Sequence, residues 1–144
     1  MKLRIFFIEK NVAFREAFRA YFERLGHEVV VAEEPSLCSV YNGHQCDKDD
    51  PCGDILIIGC SFLELEPLDF IQLMAARGCK GSSRNKLVLC ESIEQADLVK
   101  SQESGCEIMR KPVTLQALEN WILQRSHQLG PERKLTDLFK PPSA

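Results

Sequence analysis

Two groups of side chains in this sequence stand where they could do chemistry. His44, Cys46 and Cys52 lie close together, with Asp47, Asp49 and Asp50 between them. Imidazole, thiolate and carboxylate are the donors zinc accepts, so the spacing raises a metal site. It lacks a Cys-x-x-Cys pair and a fourth ligand. The preferred reading is therefore a plain polar insertion with no metal assigned, and zinc or a Cys46–Cys52 redox pair are the alternatives. The second group consists of residues that immediately follow short apolar runs: Glu9 and Lys10, Gly59, Cys90, and Lys111 with Pro112. Charged, thiol and backbone groups at such positions can bind anions or cations if the runs come together in space. No Ser-His-Asp order, Walker loop or Rossmann glycine fingerprint is present, and no enzymatic activity is expected.

The runs themselves read as strands. Leu3-Arg-Ile-Phe-Phe-Ile8 is short, β-branched and aromatic, and charge stops it. Val29–Ala32, Lys86–Cys90 and Ile108–Met109 have the same character. Asp54-Ile-Leu-Ile-Ile-Gly59 is apolar on both faces, as central parallel strands are. Between the strands lie helical patterns. Phe14, Phe18, Phe22 and Leu25 recur at helical spacing after Asn11, a good N-cap, and Gly26 is a good stop. Pro35 can open a short second helix. Leu68, Ile71, Leu73 and Met74 suggest a third, ending near Gly78. Ser92-Ile-Glu-Gln95 fits a capping box for a fourth, which Gly105 ends. Thr114 caps a last helix carrying Leu115, Leu118 and Ile122. Residues 42–53 read as a polar loop insertion.

Five strands alternating with five helices imply a parallel sheet with helices on both faces. In such sheets, sites form outside the C-terminal ends of the strands. The residues that follow the runs would then share one edge. With Leu3–Ile8, Asp54–Ile58 and Lys111-Pro112 followed by Thr114, Leu118 and Ile122, residues 2 to about 127 resemble a bacterial response-regulator receiver domain of the CheY-like superfamily. The resemblance implies a flavodoxin-like (βα)5 doubly wound sheet of five parallel strands in the order 2-1-3-4-5. It places a receiver-like domain at residues 1–128, with residues 129–144 as a C-terminal tail or linker.

A receiver carries two acidic residues after its first strand and an aspartate ending the third. It has Ser or Thr ending the fourth strand and a lysine ending the fifth. The acids hold Mg²⁺, which wants hard oxygen ligands, and the aspartate accepts a phosphoryl group. This sequence departs from that pattern. Lys10 replaces the second acid, Gly59 stands at the acceptor position, and Cys90 falls at the Ser/Thr position. Ile108 corresponds to the aromatic that often precedes the lysine. Only Glu9 and Lys111 match. The resemblance therefore implies a pseudo-receiver that is not phosphorylated at the usual site. Glu9, Lys10 and Lys111 are expected to form a local ion-pair cluster with no cofactor. Cys90 beside Lys111 is expected to be a packing cysteine, with a reactive thiol as the alternative.

Receivers use the face of their fourth helix, fifth strand and fifth helix to meet partners or a second copy. Here it would draw on Glu94, Asp97, Lys100, Arg110, Gln116 and Glu119. The function expected is signal transduction by protein–protein interaction in a two-component or phosphorelay-type pathway. A small-ligand or thiol redox sensor using the vacated pocket and the cysteines is the alternative. The net charge of -3 gives nucleic acid no bulk attraction. No apolar run reaches a membrane span, and no signal-peptide pattern opens the chain. An odd cysteine count of seven argues against a disulfide framework. These features point to a cytoplasmic protein without a direct nucleic-acid or membrane partner.

Overall fold

The computed structural model describes residues 1–62 and 65–138. Its five strands are β1 (Arg4–Ile8), β2 (Glu28–Ala32), β3 (Ile55–Ile58), β4 (Lys86–Cys90) and β5 (Glu107–Arg110). They form one sheet in the order β2-β1-β3-β4-β5, and every neighbouring pair is parallel. The α-helices are α1 (Val12–Arg24), α2 (Pro67–Ala76), α3 (Gln95–Ser104) and α4 (Leu115–Ser126). This is the expected flavodoxin-like doubly wound architecture.

Period-two alternation divides the core into two layers. Ile5 and Phe7 of β1, Ile55 and Ile57 of β3, and Leu87 and Leu89 of β4 point to one face. There they meet Phe18 and Phe22 of α1 and Leu118, Trp121 and Ile122 of α4. Phe7 stacks on Phe18 with ring centroids 4.1 Å apart. Each fully buried side chain of this size contributes roughly 1.5–3 kcal/mol. Ile8, Ile58 and Val88 point to the opposite face, against Leu68, Phe70, Ile71 and Met74 of α2.

The caps follow the sequence closely at two helices. The Asn11 side chain accepts from the Phe14 N–H at 2.9 Å, and Thr114 Oγ1 accepts from Ala117 N–H at 3.0 Å. Two expectations need correction. The helix expected from Pro35 does not form. Residues 33–54 make the β2-to-β3 crossover through turns, so four α-helices, not five, are seen among the described residues. This stretch is short of apolar residues at helical spacing and rich in Ser, Asn, Gly and Asp, which favour local turns. At α3 the N-cap is Glu94 rather than Ser92, and the Asp97 carboxylate accepts from the Glu94 N–H at 2.8 Å.

The stretch expected as a tail lies against the domain as far as it is described. Leu129 packs on the first core layer. The Arg133 guanidinium pairs with the buried carboxylate of Asp54, and its Nη2 donates to the Lys2 carbonyl at 2.9 Å. Thr136 N–H donates to the Pro51 carbonyl at 2.8 Å, and Arg4 Nη1 donates to the Thr136 carbonyl at 2.6 Å. These contacts cluster at the starts of β1 and β3, the end of the sheet opposite the one where Gly59 stands. Phe139, which continues the apolar pattern of Leu135 and Leu138, lies outside the described residues.

Candidate functional site

The C-terminal ends of β1, β3, β4 and β5 bring Glu9, Gly59, Glu91 and Lys111 together. Parallel pairing makes this possible, because Ile8 lies beside Ile58 and Cys90 beside Arg110. Gly59 N–H donates to the Ile8 carbonyl at 2.8 Å, and Lys111 N–H donates to the Cys90 carbonyl at 2.7 Å. These bonds carry the ladder one residue past the strands and fix the backbone of the site. The Lys111–Pro112 peptide is cis.

Lys111 is the centre of charge. Its Nζ donates to the Gly59 carbonyl and lies 3.9 Å from Glu9 Oε1 and 3.6 Å from Glu91 Oε1. Glu9 is only 4% exposed, and its Oε2 is buried with no hydrogen-bond partner. Burial pushes the Glu9 carboxyl above its ordinary range, and the Lys111 ammonium opposes this only in part. The aliphatic stem and carboxylate of Glu9 take up the space in front of Gly59. A Cβ added at Gly59 would lie 2.6 Å from Glu9 Oε2 and 3.3 Å from Phe7 Cε1. In front of these groups a hollow of about 370 Å³ opens, lined by Asn11, Phe14, Glu91 and Pro112 among others.

Lys10 does not join the cluster. It is exposed and makes no ion pair among the described residues, because the strand alternation that buries Glu9 turns Lys10 outward. Glu91, at the end of β4, joins it instead. Its signal was its position directly after β4, at the same edge as Glu9 and Lys111. Ile108 is half-buried against the second core layer. Cys90 packs in the same layer, and burial pushes its thiol up, with Lys111 only a minor opposing influence. Cys60, next to Gly59, is also pushed up by burial and by the Glu9 charge. Both shifts are away from the thiolate form.

The donors at this edge do not fit a hard divalent cation. Octahedral oxygen coordination needs several carboxylate or carbonyl oxygens free of a competing cation. Here Glu9 and Glu91 already face the Lys111 ammonium, and positions 10 and 59 supply no carboxylate. Cys46 and Cys52 line one cavity, and His44 is not among its lining residues. Among the described residues no three His, Cys, Asp or Glu side chains are grouped to hold a metal.

Several solved structures superpose on this chain. The receiver domain of the sensor histidine kinase PA1611 from Pseudomonas aeruginosa PAO1, which has a magnesium ion in its active-site cleft, matches with a TM-score of 0.66 at 16% identity. The match covers 89% of this chain and 100% of that one. The chain has the fold of response-regulator receiver domains. A CheY-like receiver domain from Methanospirillum hungatei JF-1 matches with a TM-score of 0.64 at 15% identity, covering 89% of this chain and 99% of that one. The signal receiver domain of a modulated diguanylate cyclase from Desulfovibrio desulfuricans G20 gives 0.64 at 16% identity, over 89% and 96% of the two chains. No protein-family model and no curated protein matches the chain.

The residues expected to meet a partner lie on α3, β5 and α4 or just before them. Glu94, Arg110 and Gln116 are exposed there. The remaining residues are committed elsewhere. Lys100 Nζ pairs with Asp69 of α2 at 2.9 Å, Asp97 caps α3, and Glu119 accepts a hydrogen bond from the Tyr21 hydroxyl of α1. Apolar residues are exposed on the same elements. Leu98 and Val99 of α3 are 42% and 40% exposed, and Leu123 of α4 is 47% exposed. No residue of α3 is buried, and β5 is an edge strand with Ile108 and Met109 only half-covered.

Proposed function

We propose that this protein is a receiver-fold signalling module that works by protein–protein contact and is not switched by an aspartyl phosphate. The observation that carries the reading is the Glu9–Gly59 contact. The acceptor position has no side chain, and the space a side chain would enter is held by a buried carboxylate. The Lys111 ammonium, which could otherwise meet an incoming anion, is occupied by the Gly59 carbonyl and two carboxylates. The partner surface is the α3–β5–α4 face, where Leu98, Val99 and Leu123 add apolar area to Glu94, Arg110 and Gln116. Scattered exposed leucines are ordinary, but a helix with no buried residue lacks the usual reason to keep them.

The test is incubation of the full chain with acetyl phosphate and Mg²⁺, followed by intact mass measurement. An unchanged mass is expected. A stoichiometric gain of one phosphoryl group would overturn the proposal. The reading of a redox sensor at the same edge has less support, since burial pushes both Cys60 and Cys90 away from the thiolate form.

A further inference from the structure

The β2-to-β3 crossover leaves one part of the sheet poorly covered. Phe6 belongs to β1, which is flanked by strands on both sides, yet its ring is only half-buried. Leu56 of β3 and Val30 of β2 are half-buried as well. All three line a cavity of about 390 Å³, bounded further by Met74 of α2, the 34–54 crossover, the 79–86 connection and residues 136–138. Interior-strand aromatics are ordinarily covered, and a cavity of this size and lining falls in the range of small-molecule sites.

Charged groups of both signs line this cavity, Glu34, Asp50, Asp54 and Asp137 with Lys48, Lys80 and Lys86, and Lys86 is the buried cation among them. Lys86, at the start of β4, is only 4% exposed. Its Nζ donates to Cys79 Sγ at 3.3 Å and to the Gly81 carbonyl at 3.2 Å, and it makes no ion pair among the described residues. A buried ammonium whose charge meets only neutral groups is costly, and an incoming anion would relieve that cost. Asp54 on the same wall offers no relief, because Arg133 already neutralises it.

We propose that this cavity binds a small amphipathic acid, with its apolar body against Phe6, Leu56 and Met74 and its anionic group on the Lys86 ammonium. The site is separate from the Glu9–Lys111 edge. It exists because the crossover carries no helix to cover the sheet, and the anionic group is placed on Lys86 because that buried ammonium makes no ion pair among the described residues. Cys79 Sγ, in contact with that ammonium, would be shielded by the bound acid.

Anilinonaphthalene sulfonate, an aromatic anion that fluoresces in apolar surroundings, serves as the probe. Titrated into the folded full chain, it should bind at one site per chain, and decanoate should displace it. Lys86→Met should weaken binding by about tenfold or more, the loss expected for a charge-assisted hydrogen bond. Leu56→Trp, which fills the cavity and leaves the lysine in place, should abolish it. Circular dichroism melts establish that each variant is folded. On the unmodified protein, saturating probe should slow iodoacetamide alkylation of Cys79 severalfold and leave Cys90 unchanged, read by peptide mass spectrometry. Absence of binding, equal binding by folded Lys86→Met, or unprotected Cys79 would each overturn the proposal.

Discussion

Glu9 and Gly59 fit each other as side chain and space. The carboxylate of Glu9 lies 2.6 Å from the point where a Gly59 Cβ would stand, so the two positions cannot change independently. Gly59→Ala must push aside a buried side chain held by Lys111, and should destabilise the protein by about 1–3 kcal/mol, as overpacking does. In Glu9→Ala the same substitution should be nearly neutral. Urea denaturation of the four proteins in a double-mutant cycle measures the coupling, which should be at least about 0.5 kcal/mol. Additive effects would show that the contact has no energetic weight.

The buried carboxyl also predicts a pH dependence. Its folded pKa is raised above the ordinary 4.5, so folding favours the protonated form. The stability this group contributes is fully present below pH 4.5 and is lost as pH rises through the folded pKa. Glu9→Gln removes the charge while keeping the shape. The variant should melt a few degrees above the unmodified protein at pH 7, and the difference should shrink toward pH 4. A gap that stays constant with pH would contradict the assignment.

His27 gives the opposite sign. The Leu3 N–H donates to its Nδ1 at 3.1 Å, which requires a neutral ring, and burial lowers its pKa below the ordinary 6.5. The stability it contributes is therefore present above pH 6.5 and is lost as pH falls through the folded pKa. NMR titration of the imidazole should find a midpoint below that value. His27→Gln should flatten the corresponding limb of the pH–stability curve.

Arg133 anchors the segment after α4. Asp54 is buried, and removal of its guanidinium partner leaves a carboxylate held by little more than the Arg4 N–H, at 2.8 Å. Arg133→Ala should cost about 2–4 kcal/mol, since uncompensated buried charge is expensive. Arg133→Lys should recover only part of this, because an ammonium cannot reproduce the forked contact. Chemical denaturation reads both. A loss below about 0.5 kcal/mol for the alanine variant would make the segment a passive passenger.

The proposed partner face separates binding from stability. Leu98→Ser and Leu123→Ser change exposed side chains, so each should alter stability by less than about 0.5 kcal/mol. If α3 and α4 carry the partner surface, the double variant should abolish capture of whatever partner, or second copy, the unmodified protein retains. Sedimentation velocity on the pure chain tests the homodimer directly, and retained binding would remove this face from the proposal.

The regular elements were legible because they obey strong local rules. The Asp54–Ile58 run, the Phe14–Phe18–Phe22 repeat and the Asn11 and Thr114 caps each fix their own conformation. The crossover was misread because Pro35 permits a helix without requiring one, and no apolar stripe follows to dock it. At the candidate site, strand ends placed Glu9, Gly59 and Lys111 correctly, since parallel pairing aligns them. Lys10 was misplaced by the strand pleat, which turns successive side chains apart. The contacts of Lys100 with Asp69 and of Glu119 with Tyr21 were not legible, because the neighbour of a helix-surface residue depends on packing between helices. Periodicity within one helix does not report that.

The unequal cover of the two sheet faces gives the molecule two tiers of resistance to opening. One face is sealed by α1 and α4 over large aromatic contacts, so its amides should exchange with solvent only through whole-molecule unfolding. The other is roofed over residues 33–54 by turns with few buried side chains, and such segments open at low free energy in small local excursions. Solvent and solutes can therefore reach the middle of the sheet through the roof while the strands stay paired. Access to the interior is then set by the breathing of one connection, on a timescale independent of the folding of the rest.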